Sequence, residues 1–299
     1  MHGWIIVDKP VGLGSTQAVS AVKRALREAG WPKRKVGHGG TLDPLASGVL
    51  PVAVGEATKL AGRMLDSDKI YDFTIRFGVE TDTLDAEGRE VAASRARPTI
   101  GAVEAVLPRF TGPIEQVPPA FSALKVDGAR AYDLARAGEQ VALASRNVAI
   151  RSLVPHVEGQ AGERLESLTL TAHVSKGTYI RSLARDIAHA VGTRGHVTYL
   201  RRVKAGPFGL ESAISLDKLA EAAKDRALER YLLPLRAGLD DIPALSLTPD
   251  QAGLLRQGQV LAGTAADDGQ YFALLGETPV ALVEAGSGFV RVVRGFNLD

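Results

Sequence analysis

The clearest alternation along the chain falls in Lys69–Phe77, where Tyr71, Phe73, Ile75 and Phe77 share one parity and Asp72, Thr74 and Arg76 the other. A period of two sends successive side chains to opposite faces of a sheet, so this spacing predicts a strand with one apolar and one polar face. Ser167–Val174 (SLTLTAHV) alternates likewise. The turn-forming SKGT that follows leads into Leu183, Ile187 and Val191 at i, i+4, i+8, which predicts an amphipathic helix. Residues just after that turn are therefore expected at a strand-to-helix junction. Such segments interleave through about residue 235, so the expected class is α+β rather than a bundle or sandwich.

Two stretches depart from this rhythm. Around residues 115–145, QVPPAFSALKVDGARAYDLARAG brings paired prolines, a DG turn and scattered Lys125, Arg130 and Arg136, the composition of an inserted excursion. After Pro234 come short strand-like runs, QYFALL, PVALVEA and FVRVVRGF, separated by Gly, Asp and Pro. They predict a small β-rich C-terminal domain over 239–299, behind a main domain over 1–238.

The 299 residues give room for a large domain and a small one, and 45% hydrophobic with 23% charged residues is the balance of a folded chain. Cysteine is absent, which removes disulfides, a thiolate nucleophile and Cys-ligated zinc, and fits an intracellular setting. The start, MHGWIIVDKPVG, meets charge and proline after a short apolar run, so no signal peptide is expected. No apolar run approaches the roughly 18 residues of a membrane span, and a cytoplasmic location without membrane contact is expected. Residues 240–299 hold 8 acids against 3 bases, and residues 1–239 hold 26 acids against 33 bases. The larger part is therefore the candidate for meeting a polyanion, although a mildly basic solvated surface explains the same charge.

The densest chemical signal is Val36–Gly55, VGHGGTLDPLASGVLPVAVG. Gly37, Gly39, Gly40 and Gly48 allow close backbone approach, and Asp43 stands between a Gly-rich turn and an apolar run. Its carboxylate is either a positioned reactive group or the cap of a turn ahead of Pro44. Neither GxxxxGK[ST] nor a helix-opening GxGxxG is present, which disfavours small-nucleotide binding. TDTLDAEG lacks the ligand ladder of a calcium loop, and the six histidines lack HExxH spacing, so no metal is expected.

GHGGTLDPLASGVLPVAVGEATKL resembles the signature of the TruB family of tRNA pseudouridine-55 synthases, in which the aspartate of GxLDPxAxGxLP is catalytic. IIVDKPVG, KIYDFTIRFGVETDTLDAEG, PPAFSALKVDGARAYDLAR, SKGTYIRSLARDIA, HVTYLRRVKAGPF and VRVVRGFN resemble that family in its order, so the likeness covers almost the whole chain. One departure is KPVGLGSTQAV, with Gly14 where the family usually carries Thr or Ser. The resemblance implies a mixed-sheet pseudouridine synthase domain with an inserted thumb loop and a small PUA-like C-terminal domain. It implies an isomerase that turns a uridine of the tRNA T loop, position 55, into pseudouridine after flipping it out. Asp43 is then the catalytic carboxylate and Arg181 the cation paired with it. Tyr71 stacks on the base and joins Asp43 and Arg181 as catalytic, His38 contacts the rearranged loop, and Tyr179 and Leu200 wall the pocket.

Taken one at a time, the same residues have plainer roles open to them: Tyr71 and Leu200 as core, Arg181 as a solvated first-turn residue, His38 as structural. Lys33, Arg34 and Lys35, and Arg201, Arg202 and Lys204, are expected to touch phosphates. Isomerisation imports no group and changes no oxidation state, so no cofactor is implied. The expected partner is the tRNA T arm, met by a monomer that requires no protein partner. A non-enzymatic RNA binder would gain nothing from a carboxylate beside phosphates. A guide-RNA-dependent relative is disfavoured by the absence of long Lys-rich tails.

Overall fold

The computed structural model describes residues 1–122, 124–126, 129–131, 137, 143–156, 162–264 and 266–298. The chain divides into two compact units, one made of Met1–Asp43, Val49–Leu65 and Gly206–Asp299, the other of Pro44–Gly48 and Asp66–Ala205.

In the first unit the strand Gly3–Lys9 is buried along nearly its whole length, which its unbroken WIIV run anticipates. It pairs in parallel with Ile214–Ser215 and antiparallel with Leu233–Pro234. Helix Ser15–Glu28 turns Ala18, Val19, Val22, Ala25 and Leu26 inward. Its N-cap is Gly14, which has no side-chain oxygen to offer. Gln17 instead reaches back to accept the Gly14 N–H at 2.7 Å, half of a capping box.

The C-terminal part of the same unit forms the expected β-rich element, a five-stranded sheet. Thr278–Gly286 lies between Gly269–Leu275 and Phe289–Gly295, with Ala244–Ser246 and Leu261–Ala262 at the edges. Helix Pro249–Arg256 closes it, opened by a Thr248–Gln251 capping box, and packs Leu255 into a cluster with Ala281, Val283 and Val290. Lys59 Nζ donates to the Gly295 carbonyl at 2.8 Å, and the Asn297 N–H donates to Glu56 at 2.8 Å, tying this sheet to Gly55–Leu60.

The second unit is built around Lys69–Phe77. That strand pairs antiparallel with Ser167–Val174 on one side and Gly195–Ala205 on the other. Arg146–His156 and then Gly112–Gln116 continue the sheet beyond Ser167–Val174. Phe73, Ile75 and Phe77 are buried, as their parity predicts, while Arg76 is exposed. Helix Ile180–Ala190 lays Leu183, Ala184, Ile187 and Ala188 on them, and Val191 falls one residue past the helix as its cap. Each full burial of such an apolar side chain contributes roughly 1.5–3 kcal/mol.

The excursion expected over 115–145 leaves and returns through a paired ladder, since Glu115 and Gln116 lie opposite Asn147 and Arg146. It therefore starts after Gln116. Within it Lys125–Val126 pairs with Ala129–Arg130. Most of 123–142, Arg136 included, lies outside the described residues, as do 157–161.

Ser47 and Gly48 also belong to the second unit, paired in parallel with Arg201 and Arg202. Gly48 has φ +101°, and a Cβ there would stand 2.2 Å from the Arg202 carbonyl oxygen. Both the conformation and the space demand glycine. Gly48→Ala is expected to destabilise by at least about 2 kcal/mol. A lowered urea midpoint checks this, and an unchanged midpoint would refute it.

Candidate active site

In the first unit, the segment before Asp43 is fixed on both sides. Val36–His38 pairs with the end of Ser47–Val54, His38 opposite Val52, and the Gly39 N–H donates to the Pro51 carbonyl at 2.9 Å. Gly39 lies against Met64, where a Cβ would stand 2.4 Å from the Met64 Cβ. Leu42 is buried, and the Ser15 hydroxyl accepts its N–H at 2.8 Å and donates to its carbonyl at 3.0 Å. One side chain thus pins both backbone groups of the residue next to Asp43. Asp43 is half-buried and precedes a turn at Pro44 and Leu45.

In the second unit, Tyr71 and Leu200 lie on neighbouring strands and both pack partly buried against the Phe73 cluster. Tyr71 stands opposite Arg202 and Leu200 opposite Phe73. Tyr179 caps the N-terminus of Ile180–Ala190. Its backbone is held by the buried Gln116 amide, which accepts the Tyr179 N–H at 2.8 Å and donates to its carbonyl at 3.1 Å.

Arg181 is not a solvated first-turn residue. It is 6% exposed and donates to the carbonyls of Thr83 at 2.8 Å and Phe121 at 3.0 Å. Its Nη1 also lies 3.4 Å from Asp85 Oδ2. A cation in the first turn opposes the helix dipole and loses hydration on burial, so a carboxylate partner is needed there. Asp85 is fixed in turn, accepting from the Thr83 hydroxyl at 2.5 Å and the Glu87 N–H at 3.1 Å. The sequence does not single out Asp85, whose surroundings, TDTLDAEG, read only as an incomplete calcium loop. No periodicity marks it, and its partner Arg181 belongs to a distant segment of the chain.

Arg202 also departs from expectation. It is 1% exposed, which removes it from the phosphate-contacting group, whereas Lys204, Lys33 and Lys35 are exposed. Beside it Lys69 is 7% exposed and donates to the Ser67 carbonyl at 2.5 Å. Burial, and then the neighbouring Arg202 charge, lower the Lys69 pKa to about 8.

Among the described residues no group of three or more His, Asp or Glu side chains could hold a metal, and no helix is long and apolar enough to cross a membrane.

Comparison with known proteins adds independent findings. Residues 24–180 match the family described as TruB family pseudouridylate synthase, N terminal domain, and residues 181–240 the tRNA pseudouridylate synthase B C-terminal domain. The protein named tRNA pseudouridine synthase B of Novosphingobium aromaticivorans is 63% identical over 299 residues, covering 100% of this chain and 98% of that one. Its namesake in Zymomonas mobilis is 60% identical over 297 residues, 99% of this chain and 96% of that one. Among solved structures, an H/ACA RNP bound to a substrate RNA containing 2′-deoxyuridine includes a chain of the same fold. Its TM-score is 0.73 at 24% identity, over 99% of this chain and 85% of that one. An archaeal box H/ACA sRNP complex holds another, with TM-score 0.71 at 23% identity, over 98% and 85%.

Two outcomes follow from the electrostatics of the second unit. Asp85→Asn removes a carboxylate from beside buried Arg181 and is expected to cost about 1–3 kcal/mol in urea unfolding. An unaltered unfolding curve would contradict the pairing. Lys69 binds its proton less tightly folded than unfolded, so the unfolded chain holds more protons between about pH 8 and the ordinary lysine value of 10.5. Stability of the native protein relative to Lys69→Met should therefore rise as pH increases across that window. A difference that stays flat or falls would count against a buried Lys69 with a lowered pKa.

Proposed function

The chain belongs to the TruB family of tRNA pseudouridine synthases, and on that premise we propose that it acts on the T-loop uridine at position 55 through the carboxylate of Asp43. It is an isomerase that converts uridine to pseudouridine in tRNA. The finer assignment of loop and residues is ours. The observation that carries it is the Ser15 hydroxyl on both backbone groups of Leu42, which holds the residue next to Asp43 at a fixed place in a Gly-rich segment.

The reaction breaks the C1′–N1 bond and makes a C1′–C5 bond. N1 gains a proton and C5 loses one, so atoms balance without oxidant, reductant or imported group, and no cofactor is invoked. Asp43 acts at the ribose–uracil linkage as nucleophile or base. Tyr71 stacks on the uracil, and its phenol oxygen takes the C5 proton on a lone pair as its own hydrogen passes to solvent, which returns a proton to N1. Arg181 supplies the compensating cation, and its burial among carbonyls supports a role other than surface solubility.

Extruding a base from a folded loop costs a few kcal/mol, which contacts to the rearranged RNA must offset. His38, Tyr179 and Leu200 supply the walls of that pocket. The exposed Lys33, Lys35 and Lys204 meet phosphates and set register. The excursion after Gln116 serves as a thumb that closes on the T arm, and 239–299 acts as a PUA-like positioning module. The enzyme works as a cytoplasmic monomer on tRNA without a protein partner.

Purified protein incubated with unmodified tRNA, without cofactor or added metal, is expected to yield pseudouridine at the T-loop position alone. Modification confined to another loop would refute the assignment. Asp43→Asn is expected to abolish product while tRNA affinity stays within about tenfold, and substantial turnover by that variant would sink the role of Asp43. Tyr71→Phe should slow single turnover by roughly 10²- to 10⁴-fold if the hydroxyl moves a proton. A near wild-type rate would leave Tyr71 as a stacking or core residue only.

A further inference from the structure

We propose that Arg202 is a positioning residue for Tyr71: a buried guanidinium that fixes where the phenol stands, rather than a residue that grips RNA. The proposal rests on Tyr71 acting in the isomerisation.

The guanidinium carbon lies 6.0 Å from the centroid of the Tyr71 ring, within cation–π range, and Nη1 is 3.5 Å from the phenol oxygen. A guanidinium only donates hydrogen bonds, so Nη1 can engage one lone pair of that oxygen and leave the other free to receive a proton. The two residues stand directly opposite across the antiparallel seam, where side chains share a face. Irregularities in the seam bracket this segment, one between Val197 and Tyr199 and another between Arg202 and Lys204. Bulges re-aim the side chains between them. On its other edge Arg202 pairs with Gly48, whose missing Cβ admits the Arg202 carbonyl. Backbone and side chain are therefore both held.

Charge supplies the second argument. Arg202 is 1% exposed and stands beside buried Lys69, whose proton affinity falls partly on its account. A neutral side chain of similar volume would fill the space without desolvating a charge next to another charge, and such replacements are often neutral or stabilising. Space-filling alone does not account for an arginine here. A planar cation against a ring that must be set within about 10–20° of its working orientation does account for it.

The test is a double-mutant cycle on single-turnover isomerisation of tRNA at saturating enzyme, followed for hours, with R202M, Y71F and the double variant, alongside tRNA Kd and Tm. R202M is expected to slow the saturated rate about tenfold or more with Kd within about threefold, and to have less than about a twofold effect in the Y71F background. R202K, which keeps the charge but not the planar fork, should fall between wild type and R202M. Should R202M fail to fold, the same cycle run with R202K decides the matter. A factor equally large with and without the Tyr71 hydroxyl would overturn the proposal, as would weakened Kd with a normal saturated rate. Y71F at the wild-type rate would instead overturn the reading of Tyr71 on which the proposal rests, so the two failures are distinguishable.

Discussion

The placement of the side chains proposed for the site in the second unit depends on the antiparallel seam between Lys69–Phe77 and Gly195–Ala205. One face of the seam is closed by Phe73, Ile75 and Phe77 under helix Ile180–Ala190, so its register cannot slip without turning apolar residues to water. Tyr71 and Leu200 are carried by that register. The helix that seals the face also begins where Tyr179 and Arg181 stand. Packing and site geometry are thus set by the same contacts.

Burying cations in such a unit is costly, and the chain meets the cost differently at each. Arg181 has a carboxylate held by two hydrogen bonds together with two backbone carbonyls. Lys69 has a carbonyl nearby and holds its proton less tightly. Arg202 lies against the ring of Tyr71. Their common consequence is rigidity, because a buried charge that moves away from its partners loses their compensation at once.

In the first unit, position is imposed on backbone rather than on charge. Asp43 follows a strand pairing, a glycine packed on Met64 and a backbone gripped by Ser15. The C-terminal sheet joins this unit through Lys59 and Glu56, from the segment that directly follows Ser47–Val54. Asp43 and the C-terminal sheet, far apart in sequence, therefore share one compact body.

The sequence by itself determined the α+β class, the two-faced strand at Lys69–Phe77, the strand–turn–helix at Ser167–Ala190 and the β-rich end, because each is written in periodicity over consecutive residues. The LDP motif and its companions likewise determined the family, and with it nominated Asp43, Tyr71 and Arg181. What only the tertiary structure decided is how charges are compensated. In the string, Arg202 is one of a run of bases and reads as a surface group, while Asp85 reads as one more loop acid. Burial makes the first a neighbour of Tyr71, and folding brings the second to Arg181. Local pattern reports which face a residue prefers; partners between distant segments depend on register, bulges and the missing Cβ of Gly48, none of which has a period.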